Sequence, residues 1–312
     1  MGCAPCSGSP ARATVAAVMA AHPSSRDRAG GGPRSSPPDA GPGEATSPRL
    51  ALVHCSPVDI LRTRTGRVTI VGHRGAAAYA PENTLASFEL ARRLGVDMVE
   101  FDVHLSADGA CVVIHDETLD RTTDGHGPVS ALSLAELRVL DAGQGERIPT
   151  LDEVLAWGAA AGMPLSVELK HPNVCTREPY VGLEERVLEL IERHGLMERV
   201  LVHSYHHAGA RHAKGLRPDV TTAISCNYGD FIDPVSVARA ARADGIHLEW
   251  RSTSAEAVAQ AHAAGLHILG GGIPAGRDDI VRALIRHGVD MIDSDAPDHL
   301  RAVVEDELAR AS

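Results

Sequence analysis

Glu100 and Asp102 stand two residues apart in the otherwise apolar run Met98-Val99-Glu100-Phe101-Asp102-Val103. On a strand, that spacing puts both carboxylates on one face. Buried together they repel and raise each other's pKa. A bound cation is the physical way to keep both ionised in a core. A second run, Leu165-Ser166-Val167-Glu168-Leu169-Lys170, sets Glu168 and Lys170 on one face in the same way. The chain has only two lysines, Lys170 and Lys214, against 28 arginines. A lysine inside a strand therefore stands out, although a simple salt bridge to Glu168 is its plainer reading. His73 and Arg74 close the first apolar run, and His115 and Asp116 close the run from Cys111. Glu100, Asp102 and Glu168, with no cysteine among them, suit one hard divalent cation, Ca2+ or Mg2+. His73 and His115 suit proton transfer near neutral pH. Arg74 and Lys170 suit an anion, above all a phosphate. Cation, acid-base pair and anion clamp together describe phosphodiester cleavage.

These residues need strands to hold them. From Val68 onward, short β-branched runs alternate with amphipathic stretches. Strands are expected at Val68–His73, Met98–Val103, Cys111–His115, Pro164–Lys170, Val200–Ser204, Thr221–Cys226, Ile246–Glu249, His267–Leu269 and Asp290–Asp293. Helices are expected at Glu82–Leu94, Leu151–Ala161, Gly182–His194, Asp233–Asp244, Ala255–Ala264 and Asp278–His287. Gly95, Gly162, Gly195, Gly245, Gly265 and Gly288 stand where left-handed caps would end them. This rhythm over about 240 residues fits an α/β fold, a (β/α)8 TIM barrel. A doubly wound open sheet is the runner-up, but no Gly-x-Gly-x-x-Gly follows the first strand. Nine strands are one too many. Only Ala107-Asp108-Gly109, a turn signal, separates the second from the third. The β2–β3 region is therefore irregular: either a crossover helix is missing or one strand lies outside the barrel wall.

Residues 1–66 are rich in Ala, Gly, Pro, Ser and Arg, and read as a disordered low-complexity tail or an over-extended start. The barrel domain spans 67–305, and 306–312 reads as a C-terminal tail. Ala13–Ala21 is a short apolar run without the basic flank of a secretory leader, so a cytoplasmic location is expected. No run is long enough for stable membrane insertion. The net charge is −11, with residues 1–67 locally basic, so the remainder is strongly acidic and no nucleic-acid partner is expected. The six cysteines show no disulfide framework. Cys111 and Cys226 read as small buried hydrophobes.

Gly72-His73-Arg74-Gly75, Pro81-Glu82-Asn83-Thr84, Glu100-Phe101-Asp102-Val103, Val113-Ile114-His115-Asp116 and Val167-Glu168-Leu169-Lys170 together resemble the glycerophosphodiester phosphodiesterase family. Leu119-Asp120-Arg121-Thr122-Thr123 and Asp295-Ala296-Pro297 fit as well. The resemblance runs from about Val68 to Leu300, and the family is one of TIM-barrel enzymes related to phosphatidylinositol phospholipases C. It implies a small-molecule glycerophosphodiester substrate, cleaved to an alcohol and glycerol 3-phosphate. In it His73 and His115 look like the acid-base pair, Glu100, Asp102 and Glu168 the metal ligands, and Arg74 and Lys170 the phosphate contacts. The attacker is the substrate's own glycerol hydroxyl or a water.

The resemblance weakens late in the chain. Gly271-Gly272-Ile273-Pro274 replaces a Trp-Thr-Val-Asn motif, and Ser204-Tyr205 replaces Ser-Phe. Trp250 is a candidate for the lost aromatic wall. His203, His206 and His207 read as exposed or as reshaping the pocket, His104 as a rim residue, and Asp293, Asp295 and Asp298 as turn or cap residues. Pro81-Glu82-Asn83-Thr84 reads first as a helix start. Lysophospholipase D or sphingomyelinase D-like headgroup cleavage is an alternative activity. A non-catalytic phosphodiester-binding barrel is the alternative from another class.

Overall fold

The structure is a computed structural model that describes residues 67–171, 180–227, 229 and 232–311. The tail at 1–66 and Cys175 lie outside the described residues. Nine strands form one sheet: β1 (Thr69–Gly72), β2 (Met98–Leu105), β3 (Cys111–Val113), β4 (Leu165–Leu169), β5 (Val200–Ser204), β6 (Thr221–Cys226), β7 (Gly245–Glu249), β8 (His267–Gly271) and β9 (Met291–Ser294). All but β3 pair in parallel, and the β1–β2 pairing closes them into a barrel.

The surplus strand is β3. It pairs antiparallel to the far end of β2, with Val103 opposite Val113 and Leu105 opposite Cys111. Ser106 and Asp108 bond to each other across the intervening turn, and Gly109 takes a positive φ of 78°. A hairpin forms because a turn this short leaves no room for a crossover. The crossover waits until α3 (Leu151–Ala161), which starts in a capping box made by Thr150 and Glu153. The stretch between β3 and α3 builds its own small core from Val112, Ile114, Leu119, Val129, Leu137 and Ile148. It also contains the short helix α2 (Leu134–Leu137).

The remaining helices are α1 (Leu85–Arg93), α4 (Leu183–Arg193), α5 (His207–Leu216), α6 (Pro234–Ala241), α7 (Ala255–Ala263), α8 (Asp278–His287) and α9 (Pro297–Ala311). Thr84 caps α1 by accepting from the Ser87 amide, so Pro81-Glu82-Asn83-Thr84 does begin a helix. Three expectations need correction. The expected tail at 306–312 is helical through Ala311. Helix α5 was not anticipated, since its two glycines and two histidines have low helix propensity. Gly245 is not a cap but the first residue of β7; Arg242 takes the left-handed position after α6 instead, at φ 57°. Among the described residues no helix is long and apolar enough to cross a membrane. Cys111 and Cys226 are buried, as expected.

Strand alternation divides the core. Ile70, Val99, Phe101, Val103, Val167, Val202, Ile246, Ile268 and Ile292 pack outward under the helices. Val71, Met98, Leu201, Ala223, Leu269 and Met291 form a separate apolar layer inside the barrel. Two residues further along the strands, the inward set becomes His73, Glu100, His203, Ser225, Gly271 and Asp293. Apolar plug and polar layer are thus successive pleats of the same strands. Phe101 pins the register: its ring lies 5.6 Å from that of Phe88 in α1, and both are fully buried. Burying each ring stabilises by about 2–3 kcal/mol. A one-residue slip would expose Phe101 to the barrel interior and turn both carboxylates out.

Candidate active site

A cavity of about 260 Å3 opens at the C-terminal ends of the barrel strands. His73, Arg74, Glu100, His115, Glu168 and Lys170 line it, together with Tyr205, His247, Asp293 and Asp295. Asp102 joins them from β2, so the structure brings together all seven residues singled out in the sequence.

Glu100, Asp102 and Glu168 are buried, and each offers a carboxylate oxygen within 4.8 Å of the others. Each carboxylate is partly spoken for. Glu100 Oε2 accepts the Arg74 backbone N–H at 2.9 Å. Asp102 Oδ2 accepts from the Asn83 amide at 2.8 Å. Lys170 Nζ bridges Glu168 Oε1 at 2.7 Å and Asp102 Oδ1 at 3.1 Å. Burial and the Asp102 charge push the Glu100 carboxyl up to about 8, and burial raises Glu168 as well. Burial works against Asp102 too, but Lys170, His115 and Arg74 outweigh it and hold Asp102 ionised. Lys170 and Arg74 pair with Asp102, and Lys170 with Glu168, while Glu100 relies on a backbone N–H. An oxygen-only donor set that is short of positive charge fits a hard divalent cation.

The two histidines are held alike. His73 Nδ1 lies 2.7 Å from Asp295 Oδ1, and His115 Nδ1 lies 2.6 Å from Asp116 Oδ1. Each ring is oriented through Nδ1, which leaves Nε2 for chemistry. Their acidities diverge. Burial would lower His73, but the bond to Asp295 and the nearby Glu100 and Asp293 charges lift it to about 10. Burial, with Lys170 and Arg74 beside it, lowers His115 despite Asp102 and Asp116.

A chain of ion pairs connects the two halves. Arg121 bonds Asp116 from one side and Glu82 from the other, and Glu82 accepts from Arg74 Nη1 at 2.8 Å. Arg74 adopts φ 51° and Asn83 φ 58°. For a non-glycine residue this conformation costs about 1–2 kcal/mol. At Arg74 the backbone hydrogen bond to Glu100 offsets part of it, being worth about 0.5–1.5 kcal/mol.

Sequence reasoning missed several members. Asp295 and Asp293, read as turn or cap residues, are the His73 partner and a buried partner of His247 at 3.2 Å. His203, read as exposed, is 3% exposed and lies 3.0 Å from Ser225 Oγ. Burial pushes it down to about 3, so it stays neutral. Strand alternation would have found His203 and Asp293, two residues beyond Leu201 and Met291 of the apolar layer, and His247, which pairs in register with Ser225. Trp250 does not line the cavity; its ring carries Arg251 and Arg277 at 5.5 and 5.8 Å, and Tyr205 supplies the aromatic wall. His104, read as a rim residue, is buried and bonds Tyr180 Oη and the His115 carbonyl.

The sequence profile of the glycerophosphoryl diester phosphodiesterase family matches residues 73–299. A glycerophosphodiester phosphodiesterase from Caldanaerobacter subterraneus subsp. tengcongensis is 34% identical over 241 residues, covering 75% of this chain and 96% of that protein. A Bacillus subtilis glycerophosphodiester phosphodiesterase is 33% identical, and the match spans 58% of its length. Among solved structures, an Oleispira antarctica phosphodiesterase in complex with the product sn-glycerol-3-phosphate is 31% identical with a TM-score of 0.68, over 77% of this chain and 98% of that one. With the match running from His73 through the barrel to His299, the chain belongs to the glycerophosphoryl diester phosphodiesterase family.

Proposed function

We propose that the protein hydrolyses glycerophosphodiesters to an alcohol and glycerol 3-phosphate, with Mg2+ or Ca2+ as cofactor. The observation that carries this reading is the convergence of three buried carboxylates and two carboxylate-held imidazoles on one cavity. The product complex of the Oleispira antarctica relative supports the substrate class.

Glu100, Asp102 and Glu168 would hold the divalent ion, which when bound stabilises negative charge on the phosphate oxygens. Arg74 and Lys170 meet the phosphate as fixed positive charges. The divergent acidities assign the proton transfers. His115 is neutral near pH 7, and its Nε2 takes the proton of the attacking glycerol hydroxyl or water as the new P–O bond forms. Where the hydroxyl attacks, a water then opens the cyclic phosphate to glycerol 3-phosphate. His73 is an imidazolium, and its Nε2 gives a proton to the alkoxide as the old P–O bond breaks. Asp116 and Asp295 hold the rings in the tautomers these steps require.

The test is a release assay for glycerol 3-phosphate across several glycerophosphodiesters, with Mg2+ or Ca2+ added to chelator-treated protein. Turnover restored by either ion supports the reading. Tight binding with no turnover under any divalent ion would replace it with a binding barrel. Turnover of lysophosphatidylcholine alone would shift the substrate to a lipid.

A further inference from the structure

His171, Glu184 and His206 converge away from the catalytic carboxylates. His171 follows β4, Glu184 is the second residue of α4, and His206 is the N-cap of α5. One donor atom from each lies within 4.8 Å of the others. The His171 and Glu184 side chains are 6% and 7% exposed, and His171 Nε2 meets Glu184 Oε1 at 3.2 Å. The rings of His171 and His206 sit 4.3 Å apart, centre to centre.

A histidine–glutamate ion pair would account for His171 and Glu184 but not for His206. Its Nδ1 is buried and has no hydrogen-bond partner. A buried ring nitrogen left without a partner is destabilising unless something else satisfies it. Gly209, in the first turn of α5, supplies the second observation. A Cβ there would lie 2.6 Å from Glu184 Oε1, 2.9 Å from His171 Nε2 and 3.0 Å from His206 Nδ1. The three donor atoms therefore crowd the bare face of Gly209, where any larger side chain would push them apart.

We infer that His171, Glu184 and His206 form a second metal site, selective for a borderline ion such as Zn2+. Two imidazoles and one carboxylate suit zinc, whereas the oxygen-only triad suits magnesium or calcium. The three donor atoms already lie within 4.8 Å of one another, and small side-chain rotations would bring each to the usual zinc distance of about 2.0–2.2 Å from a shared ion. The Tyr180 N–H lies 3.3 Å from His171 Nδ1, so the ion-free neutral ring carries its proton on Nε2, toward Glu184. Zinc takes Nε2, that proton moves to Nδ1, and the long Tyr180 contact is given up. The bound ion ties the β4–α4 and β5–α5 connections together directly beside Lys170 and Tyr205, which line the catalytic cavity.

The experiment uses the full chain with its thiols alkylated, so that the cysteines take no zinc, and with saturating Mg2+ to fill the acidic triad. Zn2+ is titrated against a chromophoric chelator, comparing the wild type with His206→Ala and Gly209→Ala. The expected result is one tightly bound equivalent in the wild type, weakened about 100-fold or more in both variants. Gly209→Ala favours the helix and its methyl displaces all three donors, so it remains decisive if His206→Ala fails to fold. Melting in Mg2+ alone verifies that each variant is folded. No uptake by the wild type, or undiminished uptake by Gly209→Ala, overturns the site.

Discussion

Asn83 grips Asp102 from two directions: its side-chain amide donates to Asp102 Oδ2 at 2.8 Å, and its Oδ1 accepts the Asp102 backbone N–H at 3.2 Å. Both residues are buried, and Asn83 adopts a left-handed backbone to reach across. Replacing Asn83 with Ala frees the carboxylate to rotate. Affinity for the divalent ion should fall about 10–100-fold, with turnover partly recovered at high metal concentration. Calorimetric titration with Mg2+ and Ca2+ measures this, and an unchanged dissociation constant would refute Asn83 as a positioning residue.

On the proposed mechanism, the His73–Asp295 pair should set the alkaline limit of activity. His73 acts as the acid only while protonated, so activity is lost as pH rises through its pKa. Asp295→Asn removes the strongest group holding the proton on His73. The alkaline limb of the kcat/KM profile should therefore move to lower pH, with the acidic limb unmoved. A profile that merely drops in height at every pH would show Asp295 to be structural.

Charge balance among the acids gives a third expectation. Chelator treatment should abolish turnover, and Glu168→Gln should weaken metal binding while leaving the fold intact. Because Lys170 bridges Asp102 and Glu168, Lys170→Met should disturb the ion-free protein more than the metal-loaded one. Breaking a buried pair leaves uncompensated charge and costs about 3–5 kcal/mol. Urea titrations with and without Mg2+ compare the two states, and equal losses in both would argue against a shared charge cluster.

His203 carries a stability signature. Its folded pKa of about 3 lies below the ordinary histidine value of 6.5, so the folded state disfavours its protonated form. Its penalty is absent above pH 6.5 and grows as pH falls toward 3. Between pH 7 and 5 the wild type should lose about 2 kcal/mol more stability than His203→Gln. Denaturant midpoints at the two pH values decide it, and parallel losses would mean that His203 is not buried neutral.

Phe101 links the core to the site. Phe101→Ala should destabilise by about 3–5 kcal/mol, as expected of a fully buried ring. Because the same ring fixes which way Glu100 and Asp102 face, metal affinity should fall in the residual folded protein as well. Unchanged affinity would separate packing from site geometry.

The sequence by itself determined the barrel rhythm and the seven residues around the cavity. Both are local signals: period-two alternation, turn residues and charges inside apolar runs. The carboxylates of β2 and β4 could be read because their neighbours are so apolar that an ionised group there demands an explanation. Only the tertiary structure decided that β3 leaves the barrel wall, because a hairpin and a missing crossover helix look alike in one dimension. It alone revealed His73 beside Asp295, Asn83 on Asp102, and Arg121 between Glu82 and Asp116. Those partners lie 222, 19, 39 and 5 residues apart along the chain. Spacing carries no information about side chains that meet through loop conformation, or, for His73 and Asp295, only when the last strand closes against the first. Barrel closure also separates the acidities of His73 and His115, since it fixes which carboxylates surround each ring.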